Sequence, residues 1–411
     1  MDKACQQNTD RQTRSDSVFS SIVDQQINWN DVFMRMDKHQ GTVDDFKKLM
    51  YKVQSKRREF VSAFLHEYEL TSSTDNRENT LFSSSSEKLQ INVKDEIFGI
   101  QKDLVLLDKF HSIHTTSTNY TERLFKFLDF SGVLAPYHPT SSEVFFEEQT
   151  QCVAFLKRFV DNSETTRKPI MITDWDGTMK DYCSQYVTNL QPIYSALSMA
   201  IFSHKCTRVT AVLTAGPLRG PGILDLTALP KDGPIVFGGS WGREWWFDGK
   251  RVVHDEGISD AGMDALERLS DEMSRLLETQ EYSHFGLIGS GVQRKVDRLT
   301  LGVQTVLHFD PSTELEVEVV VHSDGIIWNK ANGITHLIET ISDTIETDKV
   351  LICGDTPSDL PMGAMFIFVT MKQSLREKVV ELVGDSNNCC FVSSPDVIHA
   401  AMMTVLNDMN N

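Results

Sequence analysis

The chain has 411 residues, more than one hydrophobic core usually serves, so we expect two or three domains. Its net charge of −18 disfavours nucleic acid and anionic membranes as partners, because an acidic surface repels both. The seven cysteines are scattered and odd in number, which indicates reduced intracellular thiols rather than a disulfide framework. Residues 1–14 carry no signal-peptide core and no apolar stretch reaches bilayer length, so we expect a cytoplasmic protein without a membrane span.

The N-terminal part of the chain has mainly helical patterns. Apolar residues over 42–64 follow helical spacing, whereas residues 71–88 are rich in Ser, Thr, Asn and charge, which predicts a flexible linker. Apolar residues over 93–107 recur in steps of four and three, which predicts a helix of a small bundle, since two heptads are too few for a dimerising coiled coil. Another amphipathic helix is predicted over 143–159. The predicted segments are a helical region (1–70), a linker (71–88) and a helical extension (89–165).

From residue 169 onwards, short apolar runs alternate with helical stretches, and each run is followed by polar residues. This pattern is typical of a parallel α/β sheet, in which ligands bind beyond the carboxyl ends of the strands. The clearest runs are 170–172 before Asp174, 209–213 before Thr214 and 351–353 before Asp355. All three polar clusters should therefore meet at one edge of one sheet.

Between these strands, a helix is predicted over 263–277, and residues 296–306 and 315–321 alternate as half-exposed strands do. This combination predicts an α/β cap inserted into the sheet domain and lying over the sheet edge. The predicted segments are the first part of the core (166–248), the cap (249–325) and the second part of the core (326–411).

Asp174 and Asp176 follow the first predicted strand and precede Gly177 and Thr178. On an extended chain their side chains would point to opposite faces, so a turn at the glycine is what can bring both carboxylates towards one pocket. An EF-hand calcium loop is the alternative, but it needs a glutamate at its twelfth position, where this chain has Gln185. The pattern therefore favours phosphoryl chemistry.

Other polar residues complete a candidate phosphoryl-transfer site. Asp355 and Asp359 follow a later strand, and carboxylates from two strand ends suit Mg²⁺, which prefers hard oxygen ligands. Lys330 precedes a predicted helix and would offset the charge of a phosphate dianion, although most lysines are solvated surface charges. Thr214 could donate its hydroxyl to a phosphoryl oxygen, or it could simply cap a turn.

In this order and strand context, the motifs in residues 166–411 resemble those of the haloacid dehalogenase superfamily. The resemblance implies a Rossmann-like α/β core with a parallel sheet, an inserted α/β cap and Mg²⁺-dependent phosphatase activity through an aspartyl-phosphate. Asp174 would be the nucleophile, and Asp176 the general acid and base. The implied catalytic residues are Asp174, Asp176, Thr214 and Lys330, and the implied metal ligands are Asp174, Asp176 (through its backbone carbonyl), Asp355 and, as support, Asp359.

A narrower resemblance is carried by four segments, 214–220, 239–244, 291–300 and 328–330. They look like the corresponding segments of nematode-type trehalose 6-phosphate phosphatases, which also carry a helical N-terminal extension. The resemblance implies trehalose 6-phosphate as the substrate. The implied sugar-binding residues are Gln293, Arg294, Lys295, Glu244 and Glu318.

Two stretches are shorter than this family usually has. Residues 305–311 join the two predicted cap strands almost directly, where the family usually has a helical segment, so the cap is interpreted as shortened. Only residues 360–365 separate Asp359 from the next predicted strand, although a parallel crossover normally needs about a dozen residues. These departures threaten the closure of the cap and the sheet edge beside Asp355.

Alternative functions stay open at this point. The protein could be another capped sugar-phosphate phosphatase or a relative of the phosphohexomutases, since the first motif is shared among them. It could also be a non-catalytic interaction protein whose N-terminal helices bind a partner or self-associate. The partners expected are a small sugar phosphate and, through those helices, a protein.

Overall fold

The structure is a computed structural model, and it describes most of the chain from residue 78 onwards. The described residues are 78–83, 88–92, 94–112, 128–161, 167–182, 190–220, 222–229, 231, 235–279, 282, 292–302, 316–322, 325, 327–341, 349–362 and 365–409. The helix predicted over 42–64 lies outside the described residues, as does the 305–311 segment.

An eight-stranded sheet forms the centre of the described structure, and six of its strands run parallel. The strands are β3 (Ile170–Thr173), β4 (Val209–Leu213), β5 (Ile235–Gly239), β6 (Glu244–Phe247), β7 (Lys250–Val253), β11 (Val350–Gly354), β12 (Met365–Val369) and β13 (Cys389–Val392). Their order in the sheet is β13-β12-β11-β3-β4-β5-β6-β7, and β6 and β7 are antiparallel additions at one edge. The three strands predicted at 170–172, 209–213 and 351–353 are confirmed, and they are neighbours.

Both faces of this sheet are covered at its parallel strands, which explains why β3, β4, β5, β11 and β12 are buried at nearly every position rather than at alternate ones. Met171 and Val212 point to one hydrophobic cluster, whereas their neighbours Ile172 and Leu213 point to another. The helices are α1 (Lys94–Ser112), α2 (Phe130–Leu134), α3 (Ser142–Asp161), α4 (Ile193–Cys206), α5 (Ile223–Leu226), α6 (Asp260–Leu277), α7 (Lys330–Ile341), α8 (Gln373–Val383) and α9 (Pro395–Met409). Helices α3, α4 and α9 cover the first face, and α7 and α8 cover the second. The α/β class is confirmed.

The predicted cap contains a second, antiparallel sheet in the order β10-β9-β8, with α6 packed against it. Its strands are β8 (Val292–Arg294), β9 (Arg298–Gly302) and β10 (Glu316–Val320). Helix α6 begins after Ser259, whose hydroxyl accepts a hydrogen bond from the Gly262 N–H at 3.2 Å. The helix predicted over 263–277 is therefore confirmed, and the boundaries of the cap as a domain stay a prediction.

The segment interpreted as a flexible linker, 71–88, is partly wrong. Residues Glu78–Ser83 form β1, which pairs antiparallel with β2 (Lys88–Asn92). The linker interpretation followed composition alone. The alternation of Leu89 and Ile91 with polar residues is a strand pattern, and these residues belong to β2 although the helical extension was predicted to begin at residue 89.

The short connection after Asp359 does not break the sheet edge. Residues Pro357–Met362 form a 3₁₀ helix, and β12 pairs parallel with β11, with Phe366 opposite Ile352. A 3₁₀ helix advances about 2 Å per residue, more than an α-helix, so fewer residues return the chain to the start of the next strand. The expectation of a damaged edge beside Asp355 is therefore wrong.

None of the helices in the described ranges combines the length and the apolar character that a membrane crossing requires.

Candidate active site

The first motif is held at the carboxyl end of β3 by the neighbouring strand and by a tight turn. The Asp174 N–H donates to the Cys353 carbonyl of β11 at 2.9 Å, which extends the sheet by one residue. Gly177 has φ = +81°, and a Cβ there would lie 2.4 Å from the Asp355 Oδ2. Any side chain at this position would displace a carboxylate of the site, so the motif requires glycine for both conformation and space.

Lys330 is a buried cation between two carboxylates. It is the first residue of α7, and its Nζ donates to the Asp174 Oδ1 and to the Asp359 Oδ1, the latter at 2.6 Å. The Asp359 Oδ2 also accepts the backbone N–H groups of Asp355 and Thr356 at 3.2 and 3.1 Å. Lys330 and Asp359 therefore fix the Asp174 carboxylate from one side.

Asp355 lies on the other side of Asp174. The Thr178 hydroxyl lies 3.2 Å from the Asp174 Oδ2 and 3.3 Å from the Asp355 Oδ1, and the Tyr182 hydroxyl donates to the Asp355 Oδ2 at 2.9 Å. One oxygen each of Asp174, Asp355 and Asp359 lies within 4.8 Å of the others. We call Asp174, Asp355, Asp359 and Lys330 the catalytic edge.

The catalytic edge has more negative charge than its lysine can balance. Burial raises the pKa of Asp174 to about 6, against the opposing effect of Lys330. Burial, followed by the charges of Asp174 and Asp359, raises the pKa of Asp355 well above its usual range. Burial lowers the pKa of Lys330, but the two carboxylates that it contacts outweigh this and leave the pKa raised. Three carboxylates around one lysine are thus a donor set that fits a divalent cation with a preference for hard oxygen ligands.

The two other predicted catalytic residues, Asp176 and Thr214, follow the carboxyl ends of β3 and β4. The Asp176 Oδ1 pairs with the buried Lys180 Nζ at 2.7 Å, so its carboxylate is outside the three-carboxylate group. The Thr214 hydroxyl accepts the Gly216 N–H at 3.1 Å, which is the turn-capping contact considered as an alternative. Accepting this bond leaves its own hydrogen available for donation.

The predicted sugar-binding residues of the cap lie together on the second sheet. The Lys295 Nζ contacts the Glu318 Oε1 at 3.0 Å, and the Thr300 hydroxyl donates to the same oxygen at 2.7 Å. Burial raises the pKa of Glu318, but Lys295 and Thr300 outweigh it and lower the pKa overall. The Gln293 amide nitrogen has no hydrogen-bond partner among the described residues, although the side chain is only 3% exposed. Arg294 donates to the carbonyl oxygens of Lys295 and, at 3.2 Å, Val296.

Glu244 lies apart from this group, on β6 of the main sheet. Its Oε1 accepts the Leu218 N–H at 2.9 Å and the Ser240 hydroxyl at 2.7 Å, and its Oε2 pairs with Arg251 at 2.6 Å. The structure therefore places Glu244 in a network of core residues, with both carboxylate oxygens occupied.

A set of residues that sequence reasoning did not single out joins the core to the cap. The buried Arg243 Nε lies 3.0 Å from the Asp297 Oδ2, and its guanidinium lies 4.0 Å from the centre of the Trp328 ring. Arg298 binds the same aspartate at 2.8 Å and donates to the Trp328 carbonyl at 2.9 Å. We call Arg243, Asp297, Arg298 and Trp328 the core–cap junction. Trp328, its last residue along the chain, stands two residues before Lys330.

The site residues that sequence reasoning missed are Thr178, Tyr182 and the residues of the core–cap junction. They differ in how far the sequence could have revealed them. Thr178 is part of the first motif, and the junction residues stand inside the segments that carry the narrower resemblance. Tyr182 follows the first motif with no spacing signal of its own, and it reaches Asp355 only because the chain turns back at Gly177.

Several known proteins are similar to this chain. A family model described as "Trehalose-6-phosphate phosphatase, C-terminal" matches residues 171–309 and 306–398. A solved structure of trehalose-6-phosphate phosphatase from Aspergillus fumigatus aligns with 63% of this chain and 97% of its own length, at 12% identity and a TM-score of 0.35.

Curated relatives match over most of their length. A trehalose-phosphatase from Brugia malayi is 51% identical over 89% of this chain and 86% of its own. One from Caenorhabditis elegans is 41% identical, over 90% of this chain and 97% of its own. Identity of this level over nearly the whole chain confirms the predicted family and the predicted enzyme class, and the chain belongs to the trehalose-phosphatase family of phosphoric monoester hydrolases.

Proposed function

We propose that this protein hydrolyses trehalose 6-phosphate to trehalose and inorganic phosphate, with Asp174 as the nucleophile and Mg²⁺ as the cofactor. The catalytic edge is the observation that carries the proposal, because it sets the Asp174 carboxylate between a buried lysine and two further carboxylates. The names of the relatives supply the substrate.

Mg²⁺ would be held by Asp174, the Asp176 backbone carbonyl and Asp355, with Asp359 in support. Bound there, it would neutralise charge on the transferred phosphoryl group and on the carboxylates that face it. The raised pKa values of Asp174 and Asp355 support this assignment, because a divalent cation favours the ionised form of both.

In the first step, an Asp174 oxygen attacks phosphorus and the bond from phosphorus to the sugar oxygen breaks. Asp176 gives its proton to the leaving oxygen, so that trehalose departs neutral. In the second step, Asp176 takes a proton from water, which attacks the aspartyl-phosphate and restores the Asp174 carboxylate. The Lys180 Nζ, 2.7 Å from the Asp176 Oδ1, would orient this carboxyl group for both proton transfers.

The residues around the phosphoryl group balance and orient it. Lys330 offsets its negative charge, and the Thr214 hydroxyl donates to a phosphoryl oxygen while its own oxygen is oriented by the Gly216 N–H. Uncatalysed hydrolysis of phosphate monoesters is so slow that accelerations reach about 10²¹-fold, which no single residue supplies.

Sugar recognition is assigned to the cap. We propose direct contacts to sugar hydroxyls from Gln293, Arg294 and Lys295, with Glu318 accepting from a hydroxyl while it orients Lys295. The unpartnered amide of Gln293 supports its role as a donor. Glu244, whose oxygens are occupied, would act by fixing the loop at Leu218.

Phosphate release from trehalose 6-phosphate tests this proposal. Purified protein is assayed with Mg²⁺ and with EDTA, alongside Asp174→Asn and a panel of hexose phosphates. We expect release that requires Mg²⁺, prefers trehalose 6-phosphate and disappears in the variant.

Two outcomes contradict the proposal. Turnover of a hexose phosphate with trehalose 6-phosphate ignored would assign the site to another sugar-phosphate phosphatase. A wild-type chain that is folded and inactive on every substrate would favour the interaction protein. The cytoplasmic location and the domain boundaries stay predictions.

A further inference from the structure

Helix α1 buries two adjacent charged residues, Lys102 and Asp103, which are 2% and 0% exposed. Burying a charge is costly unless it is paired. The Lys102 Nζ lies 2.6 Å from the Asp396 Oδ2 of α9 and 3.0 Å from the Asp181 Oδ2. Lys102 therefore joins three separate parts of the chain: the N-terminal extension, the last helix and the segment that follows the first motif.

Asp103 supplies a helix cap from a distance. Helix α4 begins after Pro192, which offers no side-chain acceptor to the first N–H groups of the helix. The Asp103 Oδ1 accepts the Ile193 N–H at 2.7 Å and the Tyr194 N–H at 3.4 Å. Helix α1 thus completes the amino end of α4, where a carboxylate is also favoured by the helix dipole.

Helices α4 and α9 both contact residues 174–182, which we call the nucleophile loop. The Ser195 hydroxyl of α4 donates to the Met179 carbonyl at 2.7 Å, and the His399 Nε2 of α9 lies 2.9 Å from the same oxygen. The Tyr194 hydroxyl donates to the Asp396 Oδ1 at 2.6 Å, which ties the two helices together beside Lys102. Met179 lies in the turn that follows Asp174 and Asp176, so the anchor of that turn rests on the two helices that α1 contacts.

Asp181 extends this connection to the catalytic edge. It lies next to Tyr182, whose hydroxyl donates to the Asp355 Oδ2 at 2.9 Å. The Tyr182 side chain is otherwise half exposed, so its direction depends on the backbone that carries it. The hydrogen bond from Lys102 to the Asp181 side chain holds the residue directly before Tyr182.

We propose that Lys102 is a positioning residue of the phosphatase site: through Asp181 it orients Tyr182, which orients Asp355. The N-terminal extension then contributes helix α1 to the catalytic machinery. This inference rests on the proposed function, because it assigns α1 a role in that same site.

The chain offers a matched control in a second Lys–Asp pair. Lys157 of α3 pairs with Asp408 of α9 at 2.6 Å, and like Lys102 it joins the N-terminal extension to α9. Both of its members are about half exposed, and neither has a described contact with the nucleophile loop.

The kinetic test compares Asp181→Ala, the double variant Lys102→Met/Asp396→Asn and the control Asp408→Ala. Asp181 has a 31% exposed side chain, so its removal should leave the protein folded even where the buried double variant is unstable. We expect kcat to fall about tenfold to hundredfold in the first two, as for other small displacements of catalytic groups. The Mg²⁺ concentration for half-maximal activity should rise severalfold, while KM for the sugar phosphate stays within about twofold.

The second readout needs no activity. Amide hydrogen exchange of the 174–182 segment should be faster in Asp181→Ala than in the wild type and unchanged in Asp408→Ala. Wild-type exchange in Asp181→Ala, or wild-type kcat and Mg²⁺ dependence in that variant, would overturn the inference. An inactive wild-type protein refutes the proposed function, and the exchange comparison then still decides whether Lys102 and Asp181 hold the loop.

Discussion

The catalytic edge and the core–cap junction are both built from buried charges, but their balance is opposite. Around Lys330 three carboxylates gather, whereas at the junction two arginines share one aspartate, with the Lys295–Glu318 pair beside them. Carboxyl pKa values are raised at the catalytic edge, and that of Glu318 is lowered. Because an unpaired buried charge is costly, the surplus of carboxylates at the catalytic edge indicates a place for a cation, whereas the buried arginines of the junction, both paired with Asp297, indicate structural support.

The largest effect is expected from breaking an ion pair of the core–cap junction. Arg243→Met removes one arginine from the buried Asp297 and should lower the free energy of unfolding by about 3 kcal/mol, the lower range for breaking a buried pair, since Arg298 remains. Urea unfolding measures this effect. Arg275→Met, which breaks an exposed pair with Glu272 on α6, should leave the free energy of unfolding close to its wild-type value. Equal losses in the two variants would show that the junction does not stabilise the fold.

At the catalytic edge, where carboxylates are in surplus, Asp355→Asn should leave the fold intact and weaken the response of the activity to Mg²⁺. The concentration for half-maximal phosphate release should rise by about a hundredfold, the upper range for changes around a metal site. Asp248→Asn removes a charge from an exposed turn between β6 and β7 and serves as the control. If Asp355→Asn required no more Mg²⁺ than the wild type for half-maximal activity, Asp355 would not be a ligand of the metal.

The dependence of activity on pH should also reveal the surplus of carboxylates at the catalytic edge. As the proposed nucleophile, Asp174 must be ionised to attack, and burial raises its pKa to about 6 when no metal ion is bound. At limiting Mg²⁺ we therefore expect kcat/KM to fall about tenfold per pH unit below pH 6. Saturating Mg²⁺ favours the carboxylate and should move this limb to lower pH. Profiles at two Mg²⁺ concentrations measure the shift, and superimposable profiles would contradict it.

The smallest effect is expected in the cap. Gln293→Leu removes a buried amide without a partner among the described residues and should raise KM about fivefold with kcat unchanged, as for the loss of one hydrogen bond of about 1 kcal/mol. Gln373→Leu, on the exposed start of α8, is the control and should leave KM at its wild-type value. An unchanged KM in Gln293→Leu would remove this residue from the sugar site.

Helix α1 shows a limit of what sequence patterns predict: they identified the helix but not which of its residues are buried. The apolar spacing over 93–107 predicted the helix correctly, yet Leu104 is only partly buried and Val105 is 37% exposed. The buried positions include Lys102 and Asp103, which a periodicity argument assigns to solvent. Their partners lie at Asp181, Asp396 and the start of α4, too far along the chain for any local pattern to reveal.

The sequence by itself determined the family, the central strands and the set of acids that gather at the sheet edge. It could do so because parallel strands bring their carboxyl ends to one edge, whatever the rest of the chain does. The tertiary structure decided the rest: that Glu244 belongs to the core, that a 3₁₀ helix suffices to reach β12, and that the N-terminal extension reaches the nucleophile loop. Those outcomes depend on contacts between residues far apart in the chain, and such contacts form only when the packing of all the elements is fixed.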